Sequence, residues 1–104
     1  MKTTVRPNLI IFHDPQDWEG IRQQLVRDHG AATLMISWRL RRELGFTVRQ
    51  HRGLVSWRDK YDVSEPWHLT YEDVRHRMTY EDQIHLDFYS ESAQTWFVLR
   101  YLNP

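Results

Sequence analysis

The sequence predicts a single α+β domain, with an antiparallel-dominated sheet of about five strands and two main helices packed on one face. Three observations carry that expectation. The chain has 104 residues, a length that supports one hydrophobic core. Stretches of alternating hydrophobicity are interleaved with stretches of helical spacing, a mixture that favours helices laid on an antiparallel sheet. Five Trp, five Tyr and four Phe supply the bulk for a core, since each large aromatic buries roughly 150–250 Å².

Residues 8–13 (NLIIFH) read as a short buried strand, an apolar run between Pro7 and Pro15. Asp14 then suits a helix N-cap, with Pro15 at the first helical position, where its missing N–H costs nothing. Trp18, Ile21, Leu25 and Val26 recur at helical spacing, and Gly30 is placed to end this helix in a left-handed turn. Residues 31–44 carry two signals. Leu34, Ile36, Trp38 and Leu40 alternate as in a strand, whereas Ile36, Leu40 and Leu44 mark a helical stripe. Gly45 directly after Leu44, and Arg41 and Arg42 in the last turn, favour one continuous helix.

Residues 46–50 alternate as a strand, Arg52 and Gly53 offer a turn, and residues 54–58 can return to complete a hairpin. The polar stretch 59–69, with Pro66, reads as an irregular connection. Thr70 and Asp73 suggest an imperfect capping box for a short helix ending near Arg77. A final hairpin is expected from residues 84–89 and 95–102 around Ser90-Glu91-Ser92-Ala93, with Ile84, Leu86 and Phe88 on one face. Only the first strand has the option of joining the sheet in parallel.

Composition narrows the chemistry. With no cysteine, disulfides, thiolate catalysis and Cys-based zinc sites are excluded, and a reducing cytoplasm is the expected location. The apolar run Leu9–Phe12 is too short for a signal peptide or a membrane span, so no membrane partner is expected. Net charge is zero, but residues 1–60 hold 11 Lys+Arg against 6 Asp+Glu, while residues 61–104 hold 3 against 8. Such opposed halves invite electrostatic pairing, within one chain or between chains.

The basic stretch comprises Arg39, Arg41, Arg42, Arg49, Arg52, Arg58 and Lys60, with Trp38, Phe46 and Trp57 interleaved. Arginine neutralises phosphate and aromatic faces stack on unpaired bases, so this mixture suits single-stranded nucleic acid. Zero net charge weighs against a dedicated nucleic-acid binder. A helix-turn-helix over residues 40–55 fails because Arg41 and His51 occupy positions that want small and apolar residues. Gly53 would also interrupt the second helix at a cost of about 1 kcal/mol. The acidic stretch, Asp62 to Glu91 with Trp67, Tyr71 and Tyr80 among it, reads as a solvated surface or a face for a basic partner.

For metal or acid–base chemistry the candidates are His76, Glu81, His85 and Asp87. On a strand His85 and Asp87 share a face, opposite Ile84, Leu86 and Phe88, and that face is expected to be exposed. No ordered catalytic motif accompanies them. His13 and Asp14 end the first strand, where capping already explains the aspartate.

The leading expectation is therefore a small interaction module without catalysis, binding another macromolecule. A protein comes first as its partner, with a second copy of the chain as a variant of that idea. The candidate partner-binding residues are Trp38, Arg39, Arg42, Arg49, Arg52 and Trp57. A nucleic-acid contact through residues 39–60, and a metal-dependent enzyme using His85 and Asp87, are the alternatives. No cofactor is expected.

Overall fold

The computed structural model describes residues 1–56 and 78–103. Its strands are β1 (Thr3–Arg6), β2 (Leu9–Phe12), β3 (Phe46–Ser56) and β4 (Met78–Phe88). Its helices are α1 (Pro15–His29), α2 (Ala31–Met35), α3 (Ser37–Leu44) and α4 (Glu91–Phe97), the last running into a π-helical turn, Val98–Leu102. The four strands form one antiparallel sheet in the order β1-β2-β4-β3, with the helices packed against it. The α+β class and the antiparallel sheet agree with expectation; among the described residues the sheet has four strands, where about five were expected.

The opening strand–helix unit forms as its residues dictate. Asp14 caps α1, accepting from the Gln16 amide at 2.9 Å, and Pro15 occupies the first turn. Trp18, Ile21 and Leu25 are the buried stripe, and Gly30 closes the helix at φ 90°. Ahead of it lies a strand the apolar pattern did not reveal. Pro7 fixes its own φ near −65° and Asn8 stands at φ 60°, the pairing of angles that a type II turn requires. Thr3, Thr4 and Val5, all β-branched, fold back on β2 as an antiparallel partner. β2 also pairs antiparallel with β4, so the parallel option for the first strand is excluded.

The single helix expected over residues 31–44 is two. Ile36 leaves the helical region (φ −110°, ψ 109°) and separates α2 from α3. The break lets Thr33 donate to Glu43 Oε2 at 3.0 Å, tying the pieces together, while Leu40 and Leu44 face the core. It also leaves Met35 and Ile36 exposed.

Two expected hairpins are corrected. Arg52 and Gly53 do not turn: β3 runs straight through them, paired with β4 from Phe46↔Phe88 to Ser56↔Met78. Glycine there is a space requirement, because a Cβ on Gly53 would come within 2.7 Å of Gln83 Nε2. Residues 95–102 are helical, not a returning strand. Ser90 caps α4 by accepting from the Ala93 amide, and Gln94, Phe97 and Tyr101 fall on one buried stripe. Trp96 and Val98 stand two apart, the spacing of one strand face, but Trp96 lies in α4, is 41% exposed and belongs to no sheet face. Residues 57–58 of the expected hairpin, the connection 59–69 and the helix expected to end near Arg77 lie outside the described residues.

Phe46 sits at the centre of the core, fully buried, with ring centroids of Phe88, Phe97 and Trp18 at 5.1, 5.4 and 6.4 Å. Ile84, Leu86 and Phe88 share the helix-facing side of β4, as the alternation predicts. Gln94 locks the C-terminal helix to the first hairpin: its Oε1 accepts from the Asn8 amide at 2.9 Å, and its Nε2 donates to the Arg6 and Leu9 carbonyls at 2.7 and 3.1 Å.

Gly45 combines a left-handed φ of 76° with a would-be Cβ 2.7 Å from Ala93 Cβ. Gly45→Ala is expected to lower unfolding free energy by about 2–4 kcal/mol in a urea titration, the sum of a left-handed penalty and overpacking. Gln94→Ala strips partners from backbone groups of the β1–β2 turn. It is expected to lose about 1–3 kcal/mol in the same assay.

Candidate functional site

The sheet face turned away from the helices carries a continuous chain of polar side chains. Alternation along the strands sends Thr4, Ile11, His13, Glu81, Gln83, His85, Asp87, Arg49 and His51 to that side. Thr4 Oγ1 lies 2.7 Å from His13 Nε2, and His13 Nδ1 lies 2.7 Å from Glu81 Oε1. Gln83 Nε2 donates to the same Glu81 oxygen at 3.0 Å, and Gln83 Oε1 stands 2.8 Å from His85 Nε2. The rings of His85 and His51 stack with centroids 4.5 Å apart.

The carboxylate sets every proton in this chain. Burial acts to raise the Glu81 pKa, but hydrogen bonds from Gln83 and His13, with the charges of His13 and Lys2, outweigh it and hold the carboxyl below its usual range. An ionised Glu81 only accepts. His13 therefore donates from Nδ1, and in the neutral form of the ring its Nε2 lone pair faces the Thr4 hydroxyl. Gln83 turns its amide N–H to Glu81 and its carbonyl to His85, which must donate from Nε2. The Nδ1 of His85 is then a bare lone pair, and it is buried with no hydrogen-bond partner.

Burial is graded along the chain. Glu81, Gln83 and His85 are buried, the His13 side chain is 16% exposed, and Thr4 is half-buried on an edge strand. The expectation of an exposed face is thus corrected at His85. Asp87 shares that face, as its spacing predicts, but its carboxylate is taken by Arg49, with Nε 2.8 Å from Oδ2. His85 and Asp87 are engaged with different partners, and among the described residues no group of three or more His, Cys, Asp or Glu is placed to hold a metal ion. Sequence spacing missed the chain because it couples residues 4, 13 and 81; the only local hint was the period-two run Glu81, Gln83, His85.

The expected basic site is divided between two places. On α3, Trp38 is 56% exposed, with the guanidinium carbons of Arg42 and Arg39 at 4.8 and 5.7 Å from its ring centroid. Arg39 Nε is buried without a hydrogen-bond partner, and Arg42 reaches Glu43 only at 3.6 Å. On β3, Arg49 is paired with Asp87, and Arg52 lies 5.1 Å over the Tyr80 ring. The acidic half of the chain therefore engages both β3 arginines and, through the Tyr89 ring 4.3 Å from its guanidinium carbon, Arg41 of α3, while no ion pair from it to the α3 arginines occurs among the described residues. Trp57, Arg58 and Lys60 lie outside the described residues.

A third feature is an open groove of about 620 Å³ between the first hairpin and α4, lined by Val5, Pro7, Val98 and Leu99 with Arg6 and Glu91 at its polar side. No helix among the described residues is long and apolar enough to cross a membrane.

Burial, with Arg49 and His51 beside it, lowers the His85 pKa below its ordinary 6.5 despite the opposing charge of Asp87. Because the native state resists a proton that the unfolded chain accepts, His85 stabilises the fold above that value and the contribution is lost as pH falls through the folded pKa. Glu81, also depressed, loses its contribution below its ordinary 4.5. Stability measured by urea titration at successive pH values is expected to decline in two stages on acidification. The His85→Gln variant should lack the first stage and keep the second.

Comparison with protein-family models, with curated proteins and with solved structures finds no match to this chain.

Proposed function

We propose that the chain is an interaction module that binds an acidic segment of another protein through the surface of α3. The observation that carries this reading is Trp38, 56% exposed and flanked by two guanidinium groups. An exposed indole between arginines joins the two residue types that most often anchor protein interfaces. Charge complementarity defines the partner: α3 carries Arg39, Arg41 and Arg42 against a single acid, Glu43, which is occupied with Thr33 and Arg42. Met35 and Ile36, exposed at the α2–α3 break, extend the surface with apolar area. Carboxylates around an apolar side chain are its natural counterpart. The cysteine-free composition fits a reducing compartment such as the cytoplasm.

A fluorescein-labelled peptide of alternating Glu and Phe provides the test, read by anisotropy against a labelled single-stranded oligonucleotide. The peptide is expected to bind more tightly than the oligonucleotide, with affinity falling about tenfold or more in Trp38→Ala and further in Arg42→Glu. Stronger oligonucleotide binding that the same substitutions weaken would replace the protein partner by nucleic acid. A two-chain mass by light scattering, lost in Trp38→Ala, would assign the surface to a second copy. Peptide binding unaffected by either substitution would remove the proposal.

A further inference from the structure

We infer that Thr4, His13 and Glu81 form a nucleophile–base–carboxylate site for acyl transfer from esters, on the sheet face away from the helices and independent of the α3 surface. The hydroxyl-to-imidazole and imidazole-to-carboxylate separations are both 2.7 Å, the reach that activation of a hydroxyl by a neighbouring base requires. Each group also has the role its place allows. Glu81 is buried and held by Gln83, so it can fix the His13 tautomer and stabilise the imidazolium that forms. His13 is less buried, and Thr4 stands on the sheet's edge strand, where an ester can reach the hydroxyl.

The edge also supplies an amide. The His13 amide donates to the Lys2 carbonyl, and in the antiparallel register bonded and non-bonded pairs alternate. Thr4 therefore belongs to a bonded pair with Ile11, and the N–H of Val5 faces the outer edge of the sheet. An outward N–H on the residue after the nucleophile is the donor this edge offers to the oxygen that becomes negative as the carbonyl is attacked.

The step balances without any other reactant. As Thr4 Oγ bonds the acyl carbon, its proton passes to His13 Nε2 and the carbonyl electron pair moves onto oxygen. Collapse of that intermediate breaks the bond to the alkoxy oxygen, which leaves with the proton from His13. Water then gives a proton to His13 as its oxygen bonds the acyl carbon. Thr4 Oγ departs and recovers that proton, so ester and water become acid and alcohol.

The test uses the full chain and p-nitrophenyl acetate as the probe, with p-nitrophenolate release and peptide mass mapping as readouts. The expected result is an acetyl group on the peptide carrying Thr4. Acylation should be lost in Thr4→Val, which keeps the β-branched shape, and slowed about 100-fold or more in His13→Gln. Glu81→Gln should slow it as well, because a neutral amide no longer stabilises the imidazolium. Circular dichroism shows whether each variant retains its fold. Acetyl groups found only elsewhere, or equal release from folded Thr4→Val, would overturn the assignment. So would variants that change the melting temperature while the parent chain shows no acylation at all, which would make the chain of hydrogen bonds purely structural.

Discussion

Strand β4 is hydrogen-bonded on both sides, to β2 and β3, and it is buried on both faces from Gln83 to Leu86. That double confinement governs much of the molecule. On one face Ile84, Leu86 and Phe88 meet Phe46 and the helices, and ordinary apolar packing suffices. On the other face Glu81, Gln83 and His85 are polar, and buried polar groups must find partners within the protein. The hydrogen-bonded chain that ends on Thr4 follows from that need. A side chain in the middle of the sheet, a second at the end of β2 and a third on the edge strand are thereby held in one register.

Much of the fold was legible because local chemistry and tertiary packing agree. Asp14, Pro15, the stripe through Trp18, Ile21 and Leu25, and Gly30 all specify the same helix. Gly45 likewise ends α3 at the expected residue. Legibility failed where one pattern serves two structures. Residues 95–102 contain an alternating pair and a helical stripe, and the caps at Ser90 and the clamp through Gln94 decide for the helix. Gly53 resembles a turn residue in isolation, yet its role is to yield volume to a side chain on the neighbouring strand. β1 escaped notice because its apolar content is a single valine, and its pairing is set by the Pro7–Asn8 turn.

The site was less legible than the fold for a related reason. Periodicity placed His85 and Asp87 on one face but said nothing of what lies across from them, and the registers place Arg49 directly across the sheet from His85, with Arg49 reaching Asp87. Residues 4, 13 and 81 come together only through three strands and two registers, which no local window contains. The Arg-rich stretch shows the converse. Its residues are close in sequence, but the turn at Gly45 sends Arg39 and Arg42 to a helix surface and Arg49 and Arg52 to a strand, where Asp87 and Tyr80 engage them.

Gly53 and Gln83 form a single steric unit, since the amide of one occupies the space where a side chain of the other would stand. The coupling has an evolutionary reading. A Cβ at position 53 displaces the Gln83 amide from its place, and the bridge between Glu81 and His85 goes with it. The Thr4–His13 and His13–Glu81 contacts do not involve Gly53, but the displaced amide also withdraws its 3.0 Å hydrogen bond from Glu81. Diverging descendants of this chain should therefore vary positions 53 and 83 together, with Glu81 and His85, the two groups that Gln83 bridges, changing alongside them.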